Sequence, residues 1–542
     1  MDVKSSSDGF PARTTRIPLV IICAAFVAHA AWLACPAEDA YITYRFARNV
    51  VEGHGFVWNV GGQPVEGFSN FLWVQLSVAA LKLGLDPVHV TQTVGVMAGV
   101  GTLLVTWMFA RRVLGISPVG ALFTVAALAA AGPLAAWASS GMETVFFTWC
   151  VTSAVYSASR FSSSADGRYA LLTAFALFAA TLTRPEGFGI AVIILAAMTV
   201  LSATRAQQRR AVAMAITYGL AFAVYFAWRY ATFGYPLPNT FYAKTGGGPA
   251  QYWRGFVYLA YFGLHYLAPW TPWMVLFAWH ASERFRFPGI SMAAASVRTD
   301  QRVAGLVITG TVIASYLGYV MLVGGDYMAM YRFIVPVLPL MFVVLGFCAD
   351  YATRDVATNI ARRAVVGALA LATIGGMLLQ STPYEQSVFS LTPHMHGTYR
   401  GIATERWHVN RFHVIARFFS DHAAEPSCSI LTWDIGVLGY DTRFAIDDAL
   451  GIVDPVIAHA RPDASMGQGL AGHEKQDLRY SYSLRPAFVM YTVQLRPAPA
   501  DWPHYPPDLE ARVRAEYELN SVWLTDERNN EAGYFTYLER KP

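Results

Sequence analysis

The sequence predicts an α-helical polytopic membrane protein carrying a soluble α/β domain at its C-terminal end, and three observations lead there. Of the 542 residues, 55% are hydrophobic and only 14% charged, with a mean hydropathy of +0.35, whereas soluble domains average about 25% charged. Apolar runs near the roughly 20 residues that cross a bilayer recur about eleven times before residue 381. Beyond it charged residues and prolines become frequent, and no run is long enough to span. The expected division is a transmembrane module, residues 1–380, and a soluble α/β domain, residues 381–542.

The first run, Ile17 to Ala34, follows Lys4, Arg13 and Arg16. A signal peptide cut near Ala28-His29-Ala30 is one reading, but a retained first span is preferred because many spans come after it. Further spans are expected near residues 90–110, 118–138, 142–159, 169–183, 187–204, 211–229, 253–280, 303–323, 332–349 and 364–380. The run from Phe71 to Leu85 is short and holds Lys82, so it is expected to lie at the interface.

Lys and Arg gather in cytoplasmic loops. Alternate loops carry Arg111/Arg112, Arg160/Arg168, Arg205/Arg209/Arg210, Arg284/Arg286/Arg298/Arg302 and Arg354/Arg362/Arg363, all on the side of the N-terminus. The opposite face then receives the first outer loop, residues 36–70, and the polar loops Ser139–Thr144, Thr183–Gly187, Pro236–Gly247 and Gly324–Arg332. An odd number of spans puts residues 381–542 on that face too. Within them Ser429–Trp433 and Ala487–Thr492 read as buried strands and His408–His422 as an amphipathic helix.

Composition also excludes. The net charge is only +4 and no contiguous basic face is visible, which argues against nucleic acid. GxGxxG and GxxxxGK[ST] are absent, and Cys23, Cys35, Cys150, Cys348 and Cys428 have no metal-ligand spacing. Cys35–Cys428 is the pair whose location would permit a disulfide.

The outer loops hold the candidate chemistry. Glu38 and Asp39 precede a segment with Tyr41, Phe46 and Val50 on one helical side, so both carboxylates fall at a helix N-terminus. Backbone N–H groups there favour carboxylates and attract phosphate, although plain capping is the competing reading. Glu66, Glu143, Glu186 and Asp326 add carboxylates, and Arg45, Arg184, Lys244 and Arg332 add cations. Ionisable residues at membrane level are functional candidates by default, and Arg184 with Glu186 is the obvious local pair. Aromatics alternate with them in Tyr41/Tyr44, Phe68/Phe71/Trp73, Phe241/Tyr242 and Tyr327/Tyr331, as belt residues or as faces for sugar rings. In the soluble domain a strand ends in Trp433-Asp434 before a glycine-containing turn, a ligand edge unless Asp434 only caps the next helix or turn. Such a set suits sugar transfer outside the cell from a polyprenyl-phosphate sugar. Cations would steady the departing phosphate, and a carboxylate would take the acceptor proton or steady the oxocarbenium-like centre. A transporter or flippase would instead place charges at the midplane and show an inverted repeat, which the chain lacks. A non-catalytic assembly subunit for envelope glycans is the other alternative.

A set of motifs carries a resemblance: EDAYITYRFARNVVEGHGFVWN with PVEGFSNFLW, SSGMETVFF, TRPEG, PNTFYAK, GGDYMAMYRFIVPVLP, and WDIGVLGY with DDALGIVD. With these in this order, the chain resembles GT-C-fold integral-membrane glycosyltransferases that use polyprenyl-phosphate sugars, most of all the mycobacterial terminal β-(1→2)-arabinofuranosyltransferase family. The resemblance implies a GT-C-like fold and a donor such as decaprenyl-phosphoryl arabinofuranose. It implies an acceptor glycan, glycolipid or glycoprotein and a bacterial cytoplasmic (inner) membrane location, with the active site extracytoplasmic. No cofactor beyond the lipid-linked donor is expected, and divalent metal use is left open. An acidic catalytic residue is implied in the first outer loop. Family members often have two aspartates where this chain has Glu38 and Asp39, so Asp39 is the first choice and Glu38 the second. The expected substrate-binding residues are Tyr44, Arg45, Glu66, Asn70, Glu143, Arg184, Glu186, Asn239, Tyr242, Lys244, Asp326, Arg332, Trp433 and Asp434.

Overall fold

The computed structural model describes residues 13–164, 166–284, 300–354, 360–381, 402–422, 428–462 and 466–542. Lys4, Arg286 and Arg298 of the charge pattern, and residues 382–401 at the expected domain boundary, lie outside the described residues.

Helix covers every position where a span is expected. The order is α1 (Arg13–Trp32), α2 (Glu38–Val51), α3 (Phe71–Lys82), α4 (Pro87–Arg112), α5 (Pro118–Ala130), α6 (Gly132–Ala138), α7 (Thr144–Ser164) and α8 (Gly167–Thr183). It continues with α9 (Glu186–Val200), α10 (Arg205–Phe233), α11 (Asn239–Lys244), α12 (Gly248–Phe262), α13 (Thr271–Arg284), α14 (Gln301–Val323), α15 (Leu338–Thr353) and α16 (Ile360–Leu379). Among the described residues, six helices are individually long and apolar enough to cross a membrane, or seven with the bent pair α5–α6 as one span. The other expected spans fall on helices that are shorter, more polar or interrupted. Between α12 and α13 the chain passes through a π turn, Gly263–Leu267, and a 3-10 turn holding Pro269, where proline supplies no N–H to continue the α ladder.

The 60° bend between α5 and α6 positions the site. Pro133 opens α6, whose residues are all buried. The Gly132 N–H donates to Ser381 Oγ at 2.7 Å, and a Cβ on Gly132 would lie 2.6 Å from that oxygen. This close approach turns α6 inward and delivers Ser139–Thr144 beneath α2.

The C-terminal region opens with α17 (Ala403–His422) and forms a five-stranded sheet ordered β2-β1-β3-β5-β4. Its elements are β1 (Ser429–Thr432), α18 (Gly436–Asp441), β2 (Ala445–Asp448), α19 (Pro455–His459), α20 (Leu478–Ser483), β3 (Phe488–Met490), α21 (Pro507–Glu516), β4 (Tyr517–Asp526) and β5 (Glu531–Arg540). β2, β1 and β3 run parallel, while β5 pairs antiparallel with β3 and β4. Phe412, Ile415 and Phe419 turn the apolar side of α17 into the core, and Phe419 meets Phe488 at 5.2 Å between ring centroids.

All five cysteines are free, and the Cys35–Cys428 pair, whose expected location would permit a disulfide, is too far apart to form one. Cys35 lies by Arg406 in the first turn of α17 and Cys428 comes after the helix's far end. A 20-residue helix is about 30 Å long, and a disulfide needs Cα atoms within about 7 Å.

The two parts meet across α2, which has ten of its fourteen residues buried and is therefore no surface helix. Arg45 donates to the carbonyls of Trp58 (2.9 Å), Gly439 (2.9 Å) and Phe444 (3.0 Å) and to Asn59 Oδ1 (2.7 Å), with its guanidinium 4.3 Å from the Trp58 ring centroid. Arg45→Ala removes the donor to the buried Phe444 carbonyl, at about 1–3 kcal/mol for a stranded acceptor, and one of the donors to Trp58, Gly439 and Asn59, which keep Asn49 Nδ2, Arg48 Nη2 and the Ile446 N–H. We expect a lower Tm and faster proteolysis of the C-terminal region, read by scanning fluorimetry and limited trypsin digestion. Arg45→Lys, which cannot reproduce the planar fork, should restore little.

Candidate functional site

One cleft of about 170 Å³ is lined by Asp39, Asn70, Glu143, Arg184, Glu186, Lys244, Asp326 and Arg332, so eight of the expected residues converge. They arrive from α2, from the residue before α3, from the loop before α7, from the α8–α9 turn, from α11 and from the loop after α14. That last loop, Gly324–Arg332, is backbone-strained: Gly324, Gly325, Met330 and Tyr331 all have positive φ. Such a conformation costs a non-glycine residue roughly 1–2 kcal/mol. Packing holds it, because Tyr331 is buried among Tyr258, Phe262 and Tyr266 at 5.4–5.9 Å between centroids.

The strained turn sets Arg332 beside Asp326 in a two-pronged pair, Nε to Oδ2 at 2.7 Å and Nη2 to Oδ1 at 3.1 Å. Its third nitrogen lies 3.7 Å from Asp39 Oδ2. Asp39 keeps 18% of its side-chain surface exposed, so the guanidinium orients its carboxylate while leaving it open to the cleft. Arg184 is likewise shared, with Glu186 Oε1 at 2.6 Å and Glu143 Oε1 at 2.8 Å. Asn70 donates to the other oxygen of Glu143 at 2.9 Å. Lys244 stands apart. It lines the cleft, and among the described residues no carboxylate lies within ion-pair distance of it.

Other expected residues are placed elsewhere. Tyr44 is fully buried and exchanges a 2.6 Å hydrogen bond with Thr91. Arg45 serves the domain contact described above. Both oxygens of Glu66 accept from Arg229 Nε at 2.8 Å, and Asn239 donates to the carbonyls of Gly451 and Ile452. Tyr242 packs on His459, 4.1 Å between centroids. These residues do not line the cleft; they tie its walls together. Glu38 turns away from Asp39, accepts from the Val437 N–H at 2.9 Å and so caps α18. A Cβ on Gly436 would meet the Glu38 carbonyl at 2.2 Å. Asp434, rather than capping that helix, faces His408 Nε2 at 3.4 Å.

Glu405 and His408 of α17 are residues that the sequence reading missed. Burial, Asp434 and Asp39 push the Glu38 carboxyl up to about 8, and burial pushes Glu405 up to about 7. Burial opposes the charge on His408, but Asp434 outweighs it and, with Glu38 and Glu405, lifts the imidazole to about 9. Asp434 is pulled below its ordinary value by His408, against burial.

Known proteins share parts of this architecture. A family model described as a domain of unknown function (DUF8728) matches residues 399–537. No curated protein sequence matches the chain. Among solved structures, the chain is similar to ArnT from Cupriavidus metallidurans bound to undecaprenyl phosphate, at 13% identity and TM-score 0.54 over 97% of this chain and 98% of that one. It is also similar to the oligosaccharyltransferase AglB from Archaeoglobus fulgidus in complex with an inhibitory peptide and a dolichol-phosphate. That likeness has 13% identity and TM-score 0.53 over 88% of this chain and 69% of the other. The fold is GT-C. The small sheet domain lies at the C-terminal end of this chain.

The raised members of the cluster around Asp434, namely Glu38, Glu405 and His408, make stability fall as pH rises. His408, whose folded value is raised, stabilises fully below its unfolded value near 6.5, and that contribution is lost as pH rises through about 9. Glu405 behaves alike, losing its contribution as pH rises through about 7. We expect the Tm of the purified protein to fall between about pH 5 and pH 9, with Glu405→Gln flattening the lower part and His408→Gln the upper. Fluorimetry across a pH series reads this, and a Tm that rises over the interval contradicts it.

Proposed function

We propose that the chain is a glycosyltransferase that moves a sugar from a polyprenyl-phosphate donor to an acceptor glycan or glycoconjugate at the outer face of the bacterial cytoplasmic membrane. One observation carries this reading: an oriented, cleft-facing carboxylate, Asp39, shares a cleft with a cation, Lys244, that no described carboxylate neutralises. The solved relatives bound to undecaprenyl phosphate or dolichol-phosphate support the donor class. Arabinofuranose as the sugar rests on the sequence motifs.

In this reading Lys244 meets the donor phosphate as a compact point charge. Arg184 and Arg332, already engaged by two carboxylates each, hold the cleft wall in register and add field to the phosphate without releasing their partners. Asp39 takes the acceptor hydroxyl's proton as the new glycosidic bond forms, or faces the oxocarbenium-like centre if the anomeric configuration is retained. The polyprenyl phosphate leaves, its charge steadied by the cations. Trp433 and Asp434, on the domain above, receive the acceptor.

The test is a reconstituted assay with radiolabelled polyprenyl-phosphoryl arabinofuranose and an arabinan oligosaccharide acceptor. Transfer of label to the acceptor is expected. Movement of intact donor between leaflets without transfer would instead support a flippase. Lys244→Ala should weaken donor binding about 10- to 100-fold, as a lost charge-assisted contact of about 1.5–3 kcal/mol does. Arg184→Ala should mainly destabilise, because it strands Glu143 and Glu186 together. Unchanged donor affinity in Lys244→Ala would remove the phosphate role.

A further inference from the structure

A second concavity lies wholly within the C-terminal domain, at the carboxyl ends of the parallel strands β1 and β3, where α/β sheets commonly hold ligands. It encloses about 490 Å³, inside the roughly 300–1,000 Å³ of small-molecule sites. Trp433 and Asp434 enter it from the end of β1, Tyr491 from the end of β3, and Arg496, Asp501 and Trp502 from the segment before α21. None of these residues lines the Asp39 cleft.

The aromatic side chains are held in place before any ligand arrives. Trp433, Tyr491 and Trp502 pack from behind on the small core around Leu431, Tyr482 and Val489. The Tyr491 hydroxyl donates to the Asp501 carbonyl at 2.9 Å, and the Arg514 guanidinium sits 4.7 Å from the centroid of the Trp502 ring. Rigid, amphipathic rings give contact area at low conformational cost.

Charge narrows the ligand class. Two carboxylates, Asp434 and Asp501, and one guanidinium, Arg496, line the pocket, and Asp434 is already paired with His408, so the lining offers no excess of cations to hold phosphates or acidic sugars. A neutral polyol fits: its C–H faces lie on the rings, and its neighbouring hydroxyls donate to carboxylate oxygens and accept from the guanidinium fork. Asp434 links the two sites. It lines this pocket, pairs with His408 at 3.4 Å, and its charge acts on Glu38, the chain neighbour of Asp39.

We infer that this pocket is a distal acceptor subsite for a neutral oligosaccharide, binding sugar units on Trp433, Tyr491 and Trp502 while the end of the same glycan reaches Asp39. The inference rests on the transfer reading for the glycan's role, but the pocket's affinity is measurable with no donor present. The probes are uncharged arabinofuranosyl, mannosyl and glucosyl tetrasaccharide methyl glycosides and the matching monosaccharides, added to the full chain in detergent. Saturation-transfer NMR and calorimetry should detect at least one tetrasaccharide, bound tenfold or more tightly than its monosaccharide. Trp502→Ala and Asp501→Asn should each weaken it about tenfold, the second changing only an exposed side chain, whereas Arg512→Ala, an exposed position that lines neither pocket, should leave it unchanged. Absence of binding by every tetrasaccharide, or binding indifferent to both pocket variants, overturns the subsite. Binding that follows the pocket variants in a protein unable to transfer any polyprenyl-phosphate sugar upholds the subsite and removes the proposed activity instead.

Discussion

The structure depends on a guanidinium buried without a carboxylate. Arg45 is 3% exposed, and the desolvation cost of such a group is several kcal/mol unless hydrogen bonds replace water. Here three carbonyls and one side-chain amide oxygen do so, two of the carbonyls contributed by the C-terminal domain. Gly439 is required at that contact, since a Cβ there would lie 2.9 Å from the guanidinium. Glu38 adds a second tie by capping α18. Between them α2 is fixed in roll and depth, and Asp39, one residue past Glu38, has one direction left to face.

Charge in the cleft is arranged in the same way. Each arginine is divided between two carboxylates, so neither carries a net positive field of its own, and breaking either pair would strand a buried charge. That arrangement gives rigidity before it gives affinity. Lys244, on the short helix α11, has the flexible stem and compact charge that suit a ligand arriving from the membrane side. Strain in the Gly324–Arg332 loop belongs to this picture: Met330 and Tyr331 accept left-handed backbone because the turn brings Asp326 and Arg332 onto the same wall.

Much of this was legible in the sequence where the information is local. Apolar runs located the helices, and the alternation of arginines singled out the loops that converge on the cleft. β1, β3 and most of α17 were readable as short apolar strands and an amphipathic helix. The β4–β5 hairpin was not, because alternate residues of β4 are exposed and Asn520-Ser521 interrupts its apolar positions, Tyr517, Leu519, Val522 and Leu524. Long-range partners escaped for a different reason. Nothing in Tyr44, Arg45 or Glu66 themselves says whether a charge meets substrate or meets Gly439, Arg229 or Thr91. Glu405 and His408 lie more than 360 residues from Asp39 in the chain, and only the docking of α17 brings their charges near it. The motifs therefore mark the cleft together with the struts that hold it.

In the proposed transfer Asp39 meets the reacting groups, while the rest of the cleft binds and orients. Single-turnover transfer by purified Asp39→Asn, with donor affinity measured on the same preparation, tests this division most directly. The expected rate is at least about 100-fold below wild type, the size of a lost acid–base group, with donor affinity and Tm preserved and Glu38→Gln impaired mainly in stability. Near-normal turnover by Asp39→Asn, or a larger loss of rate in a stably folded Glu38→Gln, would contradict it.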